Sequence, residues 1–158
     1  MCDDRTVVDN TEYLRAKTLT RRQFGAVSAG AGLAMLLPRA ANAQAVSETE
    51  LDVTTPDGVA DCYFVHPSSG AHPGVLIWPD AFGLRPALRQ MGRRLAESGY
   101  SVLVVNQYYR SQRAPIVSTT NFAEVRGTLM PLMGSLNADT QTRDAMAFVS
   151  FLDTQTAV

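Results

Sequence analysis

Gly74-Val75-Leu76-Ile77-Trp78-Pro79-Asp80-Ala81-Phe82-Gly83-Leu84 decides how the rest of the chain is read. Five residues without a charge run together and stop at Pro79. A strand with one wet face would alternate, so this run predicts a strand covered on both faces, as in a parallel sheet. Pro86 to Ser98 then reads as a helix. Pro86 suits its first turn, Leu88, Met91, Leu95 and Ala96 fall on one face, and Gly99 supplies the cap. Tyr100 to Val105 is a second apolar, Val-rich run. Strand, helix and strand in succession predict a βαβ unit with parallel strands.

Upstream, Glu50 to Thr55 alternates, with Leu51 and Val53 set against Asp52 and Thr54. Pro56-Asp57-Gly58 is a turn, because Pro presets φ and Gly accepts positive φ. Val59 to Val65 returns as a second strand, which makes an antiparallel hairpin. His66 to Pro73 is a loop. Downstream, Arg110 to Ala138 is punctuated by Ser, Thr, Pro and Gly, with a short helical stretch around Phe122 to Met133. Thr140 to Asp153 is a helix with Ala145, Phe148, Val149 and Leu152 on one face. A βαβα pattern should feed a further strand, and none precedes Val158.

The first 43 residues read differently. Thr20-Arg21-Arg22-Gln23-Phe24 precedes a weakly apolar stretch, Gly25 to Leu37, and then Pro38 and the small residues Ala40, Ala41, Asn42 and Ala43. That stretch is shorter than the ~20 residues a bilayer requires, so no stable membrane anchor is expected. A charged region, a short apolar region and an Ala-x-Ala site make a secretory signal. The paired arginines place it in the twin-arginine class. The reading is a signal over residues 1–43, cleaved after Ala43, with the twin-arginine export machinery as partner and a periplasmic or secreted product. Residues 44–158 form the domain. Ala26-Val27-Ser28-Ala29-Gly30 is a decoy for a nucleophile turn: its first glycine is missing and no strand precedes it.

The chain has 158 residues and a formal net charge of −1, enough for one domain. Before Gln44 there are six Lys or Arg and four Asp or Glu; after it there are eight Arg, no Lys and eleven acids. That excludes the clustered basic face a nucleic-acid partner needs. Cys62 reads as a small buried hydrophobe. His66 and His72 are the only histidines, and no cluster has metal-ligand spacing. No cofactor is implied.

Several ordered features resemble the dienelactone hydrolase family of the α/β-hydrolase fold. They are Phe64-Val65-His66-Pro67 at the end of the hairpin, Asp80-Ala81-Phe82-Gly83-Leu84 after the first parallel strand, Leu95 to Tyr100, Asn106-Gln107-Tyr108-Tyr109-Arg110, and the Thr140 to Asp153 helix. The resemblance covers about residues 46–156. It implies an α/β fold, here the N-terminal half: a hairpin, then a βαβ parallel sheet with flanking helices. It implies hydrolysis of a small-molecule ester or lactone through a Cys (or Ser), Asp and His triad in that chain order. In this resemblance the Ala81 backbone N–H is one oxyanion-hole donor. Asp80 stands where the family has a Glu that contacts the resting thiol. Arg110 stands where the family has an Arg that holds a substrate carboxylate, and Asn106 where the family commonly has Asp. Tyr108 and Tyr109 either line the pocket or pack.

No Gly-x-Ser-x-Gly or Gly-x-Cys-x-Gly occurs in the chain. Such a motif sets the nucleophile on a strained strand-to-helix turn. The expectation is therefore an N-terminal portion of a hydrolase, inactive by itself, in which the sheet edge at Val75 to Trp78 lacks its neighbour. The alternative is a non-catalytic exported binding or interaction module built on the half-fold.

Overall fold

The computed structural model describes residues 44–158; the expected signal, with its cleavage site and Ser28, lies outside the described residues. Strand β1 (Val46–Thr55) and strand β2 (Gly58–Pro67) form the hairpin, in register from Val46 opposite Pro67 to Thr55 opposite Gly58. Gly58 takes φ +141°, a conformation that side-chain-bearing residues avoid. Strand β3 (Gly74–Ile77), helix α1 (Pro86–Glu97) and strand β4 (Ser101–Val105) make the βαβ unit, with β3 and β4 parallel. Helix α2 (Phe122–Ser135) and helix α3 (Ala138–Asp153) complete the chain. The sheet order is β1-β2-β4-β3, with β4 antiparallel to β2.

Strands β2 and β4 sit in the middle of the sheet and are covered on both faces. Cys62, Phe64, Leu103 and Val105 pack with Phe148 and Leu152 of α3. Tyr63, Val65, Val102 and Val104 pack with Leu88 and Ala96 of α1. Alternate residues of one strand thus enter different cores, and this is why the strands read as unbroken apolar runs. Burying each large side chain contributes about 1.5–3 kcal/mol. A third, smaller cluster joins Tyr108, Ile116, Leu129 and Leu132, and it seats α2 against the loops that follow β3 and β4.

Three expectations are corrected. First, β3 packs on both faces as expected, Leu76 on one core and Val75 and Ile77 on the other, but the three are only half-buried, because β3 closes the sheet and no strand lies along its outer edge among the described residues. Second, Met91 points outward, 52% exposed. The buried stripe of α1 is Leu88, Gly92 and Ala96. A Cβ at Gly92 would lie 3.0 Å from a methyl of Val104, so the missing side chain is what lets the helix approach the sheet. Third, Val149 is exposed, and the buried stripe of α3 is Asp144, Phe148 and Leu152. Cysteine 62, in contrast, is fully buried as expected.

Burial pushes the Cys62 thiol up to about 12, with Asn106 opposing and nearby carboxylates adding. At pH 8 that leaves roughly one thiolate in ten thousand, and only the thiolate reacts. Iodoacetamide should therefore leave the Cys62 peptide unmodified in the native protein and alkylate it fully in guanidinium, as peptide mass spectrometry will show. Among the described residues, no helix is long and apolar enough to cross a membrane.

Candidate active site

The chain leaves β3 through Trp78 and Pro79 and makes a tight turn before α1. The Gly83 N–H donates to the Asp80 carbonyl at 2.9 Å, which places Ala81 and Phe82 at the turn's centre. Gly83 has φ +72°, and an added Cβ would stand 2.5 Å from Ile116 Cγ1. Gly83→Ala should therefore cost at least ~2 kcal/mol from left-handed strain and overpacking together. Chemical denaturation measures it, and an unchanged midpoint would show that the turn tolerates an ordinary residue.

The Asp80 side chain stays within its own loop. One carboxylate oxygen accepts the Phe82 N–H at 3.0 Å, and the carboxylate takes two bonds from Arg85, at 2.5 and 2.8 Å. The Arg85 guanidinium holds the Asp80 carboxyl below its ordinary range; partial burial opposes this and the Phe82 N–H assists. The Arg85 guanidinium also lies over the Phe82 ring, 5.6 Å from its centroid. Arg85, at the N-cap of α1, makes no side-chain cap there, and Pro86 starts the helix.

The loop after β4 reaches across to this turn. The Gln107 amide donates to the Asp80 carbonyl at 2.9 Å, and the Tyr108 hydroxyl donates to the Ala81 carbonyl at 3.1 Å. The Ala81 N–H finds no acceptor among the described residues. A free backbone N–H on a braced turn is what an oxyanion hole requires. Beneath it, the Asn106 amide donates to Asp61 at 2.8 Å, and Asn106 Oδ1 accepts the Tyr108 N–H at 3.0 Å. Asp61 also accepts the Ala114 N–H at 2.8 Å. An Asp at position 106 would set two buried carboxylates against each other, so the Asn fits its neighbour.

Tyr109 and Arg110 turn towards a different set of groups. Arg110 forms a two-bond pair with Asp144 at 2.8 and 2.6 Å and bonds Asp57 at 3.1 and 2.6 Å. It also lies over the Tyr109 ring at 4.7 Å. Burial works against the Arg110 charge, but the bonds to Asp144 and Asp57 outweigh it and raise its pKa. Tyr109 donates to Asp144 at 2.7 Å and shares a 2.7 Å bond with Thr55. Asp57 also pairs with Arg143 at 2.9 Å.

Of the residues singled out from sequence, Asp80 and Ala81 thus share one turn, while the Arg110 guanidinium is taken up by two carboxylates. Gln107, Asp61 and Asp144 carry structural roles that the sequence reading missed. One signal was present for Asp144: it stands one turn before Phe148 and two before Leu152, an acid on an apolar stripe. His66 and His72 bond only nearby backbone carbonyls, of Pro67 and Ser69. Trp78 packs edge-on against Phe148, with ring centroids 5.9 Å apart. Its buried indole N–H has no acceptor among the described residues.

The sequence pattern of the dienelactone hydrolase family matches residues 60–158. A candidate dienelactone hydrolase from Klebsiella pneumoniae subsp. pneumoniae MGH 78578 superposes with TM-score 0.62 at 18% identity, over 73% of this chain and 47% of its own. A dienelactone hydrolase-like promiscuous phosphotriesterase from metagenomic libraries gives TM-score 0.56 at 26% identity, over 72% and 45%. A protein designated m3DLH gives 0.56 at 25% identity, over 72% and 45%. The chain spans just under half the length of these structures, and it carries the corresponding part of their α/β-hydrolase fold. No curated protein sequence matches it.

Proposed function

Because the chain belongs to the dienelactone hydrolase family, we propose that it is part of a hydrolase of small-molecule ester or lactone bonds and that its turn after β3 supplies half of the oxyanion hole. The observation that carries this reading is the Ala81 N–H, held at the centre of the braced turn and free of any acceptor among the described residues. In the transition state a carbonyl oxygen becomes an oxyanion, and a preset N–H meets charge that the ground state lacks. The reaction runs through an acyl intermediate on a Cys or Ser nucleophile, then water. Residues 1–158 contain no motif that would present such a nucleophile, so by themselves they do not turn over. Asp57 and Asp144 take four of the five Arg110 N–H donors, so a two-bond grip on a substrate carboxylate needs one of them released, which favours a neutral acyl group. No cofactor is needed.

We also propose export through the twin-arginine route, with residues 1–43 removed. The paired Arg21-Arg22 and the Ala41-x-Ala43 site support it, as does a first strand that begins at Val46.

The test is hydrolysis of p-nitrophenyl esters by the protein recovered from the exported fraction of its host, beside the 158-residue chain made alone. Turnover is expected from the first and none above buffer from the second. Turnover by the 158-residue chain that survives replacement of Cys62 and of its serines would place the chemistry elsewhere. A monomeric, cooperatively melting, inactive product from the exported fraction would favour a binding module.

A further inference from the structure

We propose that Gln107 is a positioning residue for the Ala81 N–H and acts on it through the Asp80 carbonyl; this rests on the hydrolase reading above. That carbonyl and the Ala81 N–H are the two ends of one planar peptide group. The group is trans, so they point in opposite directions. Fixing the oxygen therefore fixes where the N–H aims. Two donors hold the oxygen, the Gly83 N–H at 2.9 Å and Gln107 Nε2 at 2.9 Å. Gly83 belongs to the turn itself and moves with it. Gln107 does not: it is 4% exposed and is the second residue after β4. Its neighbour Tyr108, 2% exposed, holds the next carbonyl, that of Ala81, at 3.1 Å. The Tyr108 backbone is in turn tied to Asn106, and Asn106 to Asp61 of β2.

The turn is thus pitched from the middle of the sheet and not from its own exposed tip. The second hydrogen bond has an electronic effect too. A carbonyl that accepts two bonds polarises its peptide group, and the N–H at the far end becomes a stronger donor. Gln107 thereby sets both the direction and the strength of the Ala81 N–H, without touching substrate.

The experiment uses the full 158-residue chain labelled with nitrogen-15. Gln107→Met keeps the side-chain length and removes the donor. The Ala81 amide nitrogen is expected to move upfield while the amides of Val102 to Val105 stay in place. Tyr108→Phe should move Phe82 instead, because the Ala81 carbonyl belongs to the Phe82 peptide group. An Ala81 resonance unmoved by Gln107→Met in a folded sheet overturns the proposal.

If Gln107→Met loses its sheet resonances, Gln107→Glu decides. Its protonated acid can donate to the Asp80 carbonyl and its carboxylate cannot, so the Ala81 resonance should follow the Glu titration. The Asp80 carboxyl titrates lower, held down by Arg85. A flat Ala81 profile overturns the proposal.

In the hydrolysing protein Gln107→Met should lower kcat about tenfold with KM unchanged, since the donor acts in the transition state. A merely structural Gln107 would lower the folded fraction and leave kcat per folded molecule alone. If the wild-type protein hydrolyses no ester while the Ala81 resonance responds, the hydrolase reading fails and the clamp stands. Ester hydrolysis with an unresponsive resonance removes the clamp alone.

Discussion

Ala81→Pro in the hydrolysing protein should lower kcat by about 10²–10³-fold and leave KM and the melting temperature close to wild type. The substitution is chosen for what it leaves intact. Ala81 is the second residue of the turn closed by the Gly83 N–H on the Asp80 carbonyl, and proline is favoured at that position. The Ala81 N–H has no acceptor among the described residues, so its removal breaks no internal bond there. Its carbonyl, which accepts from Tyr108, is kept. Ala81→Gly is the control and should retain most of the activity, because a backbone donor needs no side chain. Steady-state kinetics on both variants, with melting followed by circular dichroism, separates the outcomes. A proline variant that keeps wild-type kcat would show that the turn after β3 does not hold the oxyanion.

Asp144→Ala should destabilise the protein by ~3–5 kcal/mol, the cost of removing one partner of a buried ion pair. The Asp144 side chain is 1% exposed and Arg110 is 23% exposed, so the Arg110 charge left behind keeps only its Asp57 partner and little water. The change also strips an acceptor from the Tyr109 hydroxyl. It loosens the join between α3 and the β1–β2 turn, where Arg110 bonds Asp144 and Asp57 together. Asp144→Asn keeps one acceptor and should cost less. Urea unfolding of the three proteins gives the ranking. A loss below about 1 kcal/mol for Asp144→Ala would put this pair among ordinary surface bridges and return Arg110 to the pool of groups free for a substrate anion.

Tertiary override explains where the sequence reading and the structure part. The hairpin around Pro56-Asp57-Gly58, the βαβ unit and the Thr140 to Asp153 helix are local or periodic features, and each was legible. The faces of the helices were less so. Apolar spacing put Met91 and Val149 inward, but α1 turns so that its smallest side chains meet the packed sheet, and α3 so that Phe148 and Leu152 do. Gly92 and Ala96 therefore face Val65 and Val104, and Met91 is left in water. The same limit hid Asp144. An acid is assigned to the surface until a partner is known, and its partners, Tyr109 and Arg110, stand 35 and 34 residues away.

The sequence by itself determined the class of fold, the position of the turn after β3 and the absence of a nucleophile motif from these 158 residues. Those properties follow from periodicity, turn chemistry and short patterns, all of which act over a few residues. Only the tertiary structure decided which way the Ala81 N–H is left free, that Gln107 and Tyr108 brace its turn across 27 residues, and that Arg110 is held by two carboxylates. These are contacts between segments distant in the chain. Their partners are chosen by how the sheet and helices pack, and no local pattern records that choice.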